Sequence, residues 1–310
     1  MTSIPWETPV VGAEIAAALA AAVWLAYRRS GRRECLPLVD GSSELASRPP
    51  FLQPRGCWSL RALLGFRVGV VTFYVLIQLY DVYRTRARCL AFYTSWNFIV
   101  QGVYFGFAAV RTRQVLLRLH EERSHAYTAL LDNADYDGSE GPYGERKRVG
   151  GARGGGVGWI SMDLVLDVCL ATSLLISAVV WSVLYPYAVR TGHPERILNG
   201  VSYCQHAGNV LLLQLDFFAT QHRVSRDALP LMMTWPSLYA IFAWIVHGTI
   251  AKGFWPYPFL ELHTPWAPVW YGGLLVAHMA ALALVLMLSR VKRSGQQPPQ
   301  TEVLDREDSQ

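Results

Sequence analysis

Few residues in this chain carry a charge. Asp, Glu, Lys and Arg make up 16% of its 310 residues, where soluble domains carry about 25%. That deficit argues against an ordinary water-soluble domain, whose surface needs more charge than these residues supply. Cysteine is also sparse. Cys35, Cys57, Cys89, Cys169 and Cys204 form no CxxC pair and no metal-ligand spacing, which speaks against a disulfide framework or a zinc site. No basic segment precedes the first apolar run; Arg28, Arg29, Arg32 and Arg33 follow it instead. This is the pattern of an uncleaved anchor rather than a cleaved signal peptide. The GARGGGVG run at 151–158 follows no strand and opens no dinucleotide-binding unit, so it does not read as a phosphate loop.

What the chain has instead is apolar length. Hydrophobic residues make up 52% of it and its mean hydropathy is +0.21. Apolar runs lie at roughly 10–27, 62–80, 90–110, 163–189, 201–219, 231–251 and 270–289, each near the ~20 residues that a helix needs to cross a bilayer. Eleven Trp and fifteen Tyr suit a protein with two membrane–water interfaces. These features predict an all-α, polytopic transmembrane helix bundle of about seven spans. An N-terminal helix and basic loop (1–61) precede a six-helix core (62–289). A Gly-rich cytosolic linker at about 132–158 interrupts the core, and a polar tail (290–310) ends the chain.

The net charge of +5 sits between the spans, so a membrane accounts for it better than nucleic acid does. Segments 28–61, 111–162, 220–230 and 290–310 carry 21 of the 28 Lys and Arg, and the alternate segments carry 6. That asymmetry predicts a lumenal or extracellular N-terminus and a cytosolic C-terminus, in the endomembrane system or plasma membrane. The Arg146, Lys147 and Arg148 patch reads as solvated loop.

Polar side chains inside spans are costly and default to functional candidates. Thr94, Asn97 and Gln101 share one face of the third span; His206, Asn209 and Asp216 share one face of the fifth. With the charge-derived orientation, Thr94 and His206 both lie roughly 6–8 Å below the lumenal boundary, and His247 of the sixth span is at matching height. A hydroxyl near an imidazole is the minimum for nucleophilic acyl transfer. The structural alternatives are a threonine bonded one turn back along its helix and a histidine bridging two helices. Asp216 reads as solvated at the cytosolic end, Arg67 as snorkelling there, Glu14 as an outer-end charge, and Asp163 as a helix N-terminal charge. Asp167 lies a turn deeper, and His278 deeper still without an evident partner. The aromatic, proline-rich segment 254–261 reads as an interfacial belt or a lid lying on the membrane surface.

The stretch FYTSWNFIVQGVYFG at 92–106, the run from His206 to Asp216, and WPYPFLE at 255–261 resemble three motifs of the androgen-induced gene 1 / androgen-dependent TFPI-regulating protein family, in matching order over 62–289. Members of that family are intramembrane threonine hydrolases of fatty acid esters of hydroxy fatty acids. The resemblance implies Thr94 as nucleophile and His206 as the histidine that activates it, with no metal or organic cofactor. It implies membrane lipids and an acyl-lipid substrate as partners, and supporting roles for Asn97, Gln101, Asn209, His247, Trp255 and Tyr257. Asn97 stands where the best-known members carry Asp, and the segment around His206 lacks their Asn-His-Gly lead-in. Tyr93 to Asn97 together with His206 and Asn209 is also similar to the rolling stone family of myoblast-fusion membrane proteins. A non-enzymatic membrane protein is therefore the alternative expectation, and a transporter or channel the third.

Overall fold

The computed structural model describes residues 6–30, 49–134 and 161–294. The basic patch and the GARGGGVG run lie outside the described residues, as do the expected Gly-rich linker after residue 134 and the polar tail after residue 294; residues 132–134 and 290–294 continue the helices before them. Those described form seven helical rods and no β-strand. The rods are α1 (Glu7–Ser30), α2 (Leu60–Thr85), α3 (Tyr93–Ala134), α4 (Met162–Arg190), α5 (200–219), α6 (Arg226–Ile250) and α7 (Ala267–Ser294). Five of them, α1, α2, α4, α6 and α7, are long and apolar enough to cross a membrane.

Local chemistry sets the ends. Ser59 caps α2 by accepting a hydrogen bond from the Ala62 amide at 3.1 Å, which satisfies one of the free donors of a first turn. Arg86 and Ala87 close the same helix in left-handed backbone conformations, turning the chain toward α3. The third rod is far longer than the expected 90–110 span: it runs 42 residues in one helix. No proline or glycine occurs between Val110 and Ala134, and Leu, Arg, Gln and Glu there are strong helix formers. The expected 111–162 loop therefore begins as helix.

Three rods contain a π-helical turn, at Val180–Leu184, Cys204–Gly208 and Val246–Ile250. In α6, Pro236 inside the helix removes one backbone donor and loosens the ladder.

The central rod is α4. Its most apolar window is 61% buried, against 22–33% for the other four candidate spans, so far more of its surface packs against other helices than theirs does. Two apolar clusters surround it. One gathers α2, α3, α5 and part of α7 around Tyr74, Phe98, Phe105, Leu170 and Phe217. Gly102 lets α3 approach α2 closely there, since a Cβ at that position would lie 3.3 Å from the Cβ of Tyr74. The other joins α1, α6 and α7 to the 257–262 segment around Tyr93, Tyr239, Ala243 and Tyr271.

A buried ion pair locks the first cluster. Arg67 of α2 donates to Asp216 of α5 at 2.7 and 3.1 Å, to Thr112 of α3 at 2.8 Å and to the Phe51 carbonyl at 2.7 Å. Tyr104 donates to the same carboxylate at 2.7 Å. Arg67 and Asp216 are fully buried. Neither the snorkelling arginine nor the solvated aspartate expected from sequence is found. The reason is the 49–58 segment, which folds over this end: Arg55 N–H bonds the Ala219 carbonyl and Gln221 N–H bonds the Gln53 carbonyl, both at 2.8 Å.

Beside it lies a second charged cluster. His222 presents Nδ1 to Asp163 at 3.1 Å and Nε2 to Asp167 at 2.7 Å. Asp163 is therefore an ion-pair partner as well as a first-turn charge. With carboxylates at both ring nitrogens, only the imidazolium donates to both. Burial lowers the His222 pKa, but the bonds and charges of Asp163 and Asp167 outweigh it and hold it above the ordinary imidazole value. Lys292 of α7 donates to the carbonyls of Phe217 and His222, which end α5 and the following loop.

Two outcomes follow for stability. Arg67→Met leaves Asp216 buried without its countercharge and is expected to cost about 3–5 kcal/mol; thermal melting in detergent reads it, and Arg67→Met combined with Asp216→Leu should recover much of the loss. Because the folded His222 pKa is raised, its contribution is complete below the ordinary value of 6.5 and is lost as pH rises through the elevated native value. Melting temperature should fall over that alkaline-going range in the wild type, and His222→Gln should flatten the dependence.

Candidate functional site

The second apolar cluster is not fully packed. A cavity of about 110 Å³ opens where α1, α4, α6, α7, the first turn of α3 and the 257–260 segment converge. Its walls are mainly aliphatic and aromatic, with Leu175, Ile176, Val179 and Val180 of the central helix on one side. Polar groups enter at few points: Glu14, Thr94, Ser237, Tyr257 and His278. An apolar cleft with a few convergent polar groups is the usual form of a small-molecule site.

Thr94 occupies the second position of α3 and is half-buried on the cavity wall. Tyr257 is buried opposite it. The Thr94 hydroxyl and the backbone N–H groups of Tyr93 and Thr94 lie near enough to the Tyr257 hydroxyl to favour its ionised form, though by less than burial opposes it. Burial is the largest influence on that phenol and pushes its pKa up, so it stays neutral and able to donate. The helix N-terminus adds positive potential at this point. A carbonyl oxygen placed here would meet donors from two directions.

The structure separates the sequence-predicted site residues into three groups. Thr94 and Tyr257 reach the cavity. Asn97, Gln101 and Asn209 do not line it; they hold helices together. Asn97 donates to the Tyr93 carbonyl at 2.8 Å and accepts from the indole of Trp235 at 3.1 Å, joining α3 to α6. Gln101 accepts from Tyr74 at 3.1 Å and from Asn209 at 3.3 Å, joining α3 to α2 and α5.

The third group is His206, His247 and Trp255. None of them lines the cavity. His206 is buried on the π-helical turn of α5 and its Nδ1 has no hydrogen-bond partner. His247 lies on the π-helical turn of α6 and stacks on Trp255, with centroids 3.9 Å apart and planes 16° apart. Matching depth in the bilayer does not bring His247 to Thr94's cavity, because depth fixes height and not the side of the bundle.

The imidazole on the cavity wall is His278 of α7. Its Nε2 lies 2.9 Å from the Tyr93 hydroxyl and its Nδ1 2.7 Å from the Leu274 carbonyl. That geometry assigns Nδ1 as donor and Nε2 as acceptor from Tyr93. Sequence reasoning found His278 without a partner and did not single out Tyr93; the readable signal was a tyrosine directly preceding the threonine. The 254–261 segment does not simply lie on the surface, since Tyr257 and Leu260 are buried and line the cavity with Phe259.

No protein-family model, no curated protein and no solved structure matches the chain.

Tyr93→Phe removes the hydroxyl that His278 accepts from. Interhelical hydrogen bonds in membranes are worth about 0.6–2 kcal/mol, so the variant should melt at a lower temperature in detergent. Asn97→Ala breaks the α3–α6 link and should lower it by a similar amount. Unchanged melting in both would mean these bonds add nothing to the packing.

Proposed function

We propose that this chain is a seven-span membrane protein of the endomembrane system or plasma membrane, with a lumenal or extracellular N-terminus. Its proposed activity is hydrolysis of carboxylic esters of acyl lipids, of the kind formed between fatty acids and hydroxy fatty acids. The observation that carries this reading is the place of Thr94: a hydroxyl on the wall of an apolar cavity, beside the Tyr257 hydroxyl and the first N–H groups of α3.

In this reading an acyl chain enters the cavity and sets its ester carbonyl against Thr94. The Thr94 Oγ1 attacks the carbonyl carbon while an imidazole takes its proton, His206 by the assignment above. Negative charge develops on the carbonyl oxygen and is met by the Tyr257 O–H and the α3 amides. The tetrahedral intermediate collapses, the alcohol leaves with the proton, and an acyl-threonine remains. Water then attacks that ester, returns the proton to Thr94 and releases a fatty acid. No step calls on a metal ion or an organic cofactor. His206 must reach Thr94 directly or through one water for this to operate.

One observation favours a second reading, lipid binding without turnover. The imidazole on the cavity wall, His278, has both nitrogens engaged by Tyr93 and Leu274, and Thr94 faces a phenol. The transport reading gains least support, because Gln101 and Asn209 of the polar stripes bond each other and Asp216 is closed in by Arg67 and Tyr104.

Labelling by a long-chain fluorophosphonate tests the proposal in the purified full chain. Thr94→Ala should abolish labelling, and His206→Ala should slow it by about 10²–10⁴-fold, the range for loss of a general base. Loss in His278→Ala with normal labelling in His206→Ala would transfer the proton-accepting role to His278. Equal labelling of wild type and Thr94→Ala would sink the hydrolase reading and leave the binding one.

A further inference from the structure

The hydrogen-bonding capacity around the cavity is unevenly spent. Four tyrosines line it: Tyr93, Tyr239, Tyr257 and Tyr271. Three of their hydroxyls are already committed. Tyr93 bonds His278, Tyr239 donates to the Ala91 carbonyl at 2.8 Å, and Tyr271 donates to the Leu260 carbonyl at 2.9 Å while accepting from Trp244. The Tyr257 hydroxyl lies near Thr94 and the start of α3. What Tyr93, Tyr239 and Tyr271 have left to offer a ligand is their rings, while the Tyr257 O–H remains the donor for an ester oxygen. Ser237 likewise donates to the Met233 carbonyl at 2.8 Å.

Glu14 is the exception. It projects from α1 to the cavity wall together with Ile15 and Ala18. Its carboxylate rests in a notch at Gly272 of α7, where a Cβ would lie 3.6 Å from Oε1. Its Oε2 is buried and has no hydrogen-bond partner. No Lys or Arg lines the cavity to balance it. A carboxylate so placed in an apolar bundle is expensive, and such groups characteristically serve a ligand or a partner. The outer-end charge expected from sequence is therefore an inward-facing one.

From a carboxylate with an unmet oxygen, a wall of tyrosine rings and an aliphatic slot along α4, we infer that the cavity selects single-chain amphiphiles with an ammonium head. The ammonium would donate to Glu14 and sit near the tyrosine rings, which attract cations through their quadrupoles. The chain would run along Leu175, Ile176 and Val179. A chain whose carboxylate head sits at Glu14 is disfavoured as a like charge, so an ester substrate at Thr94 keeps its own carboxylate away from Glu14; a long-chain alcohol can donate but brings no charge. The inference rests on reading the cavity as a lipid site, and it holds whether or not Thr94 performs hydrolysis.

The test is equilibrium binding to the full chain in nanodiscs, using a radiolabelled long-chain primary amine and the alcohol and carboxylic acid of equal length. Wild type should bind the amine about tenfold more tightly than the alcohol, the scale of a hydrogen bond to a charged group, and bind the acid weakest. Glu14→Gln should lose that amine preference while keeping its affinity for the alcohol and its melting temperature, which controls for folding. None of the three ligands carries an ester, so their binding is read independently of any turnover at Thr94. Equal binding of amine and alcohol by the wild type, or an amine preference that survives in Glu14→Gln, overturns the inference. Loss of alcohol binding in Glu14→Gln also overturns it, because the carboxylate would then be shaping the cavity rather than choosing the head.

Discussion

The fully buried contact between Arg67 and Asp216 is the constraint around which the bundle closes. Two charges removed from water must satisfy each other and then every remaining donor and acceptor. Satisfying the guanidinium draws in Thr112 and the Phe51 carbonyl; satisfying the carboxylate draws in Tyr104. One pair therefore fixes α2, α3 and α5 and pulls the 49–58 segment over them. That segment then bonds the end of α5 and its loop, where His222 and Lys292 add their own links. This end of the molecule is over-determined, with each polar group holding two or three others.

The opposite region is built differently. Around the cavity the helices meet through aromatic and aliphatic side chains, and hydrogen bonds there mostly join a side chain to a nearby carbonyl. Pro236 interrupts the ladder of α6, and π-helical turns widen α4, α5 and α6 locally. A close-packed interior would need matching side chains at every facing position; here the loosened helices leave space that the chain's own residues do not fill. Polar contacts hold one region in a single arrangement, and apolar packing leaves the other with room.

Much of this was readable in the residues. Each apolar run overlaps one helical rod among the described residues, because length and continuous hydrophobicity need no tertiary information; five of those rods are long and apolar enough to cross a membrane, and α3 runs well past its apolar part. Thr94 and Tyr257 were singled out from their motifs and do meet at the cavity. The misreadings share a cause. Arg67 and Asp216 are 149 residues apart, and nothing in their local sequence says that they pair; each alone looks like a charge seeking water. The same holds for the contact with His222 that Asp163, a first-turn charge as expected, makes in addition, and for Glu14, whose inward direction depends on α1 docking against α6 and α7. Depth along a helix can be counted from sequence, but rotation about its axis depends on what packs beside it. For that reason His206 and His247 share Thr94's expected height without sharing its cavity wall.

The three π-helical turns also bear on how the sequence tolerates changes in length. Each amounts to one residue more than a regular helix would hold over the same stretch. Deleting a single residue from Cys204–Gly208 would let α5 regain ordinary winding with its two ends still facing as they do, whereas rewinding the turn into ordinary helix with every residue kept would rotate one end by about 100° relative to the other. Gln205 could not then bond Asp81 while Asp216 kept its hold on Arg67. The surplus residue thus works as a phase adjuster, reconciling polar contacts at the two ends of one rod. A one-residue deletion within that turn should therefore be tolerated better than one elsewhere in α5, where no surplus residue is present to lose.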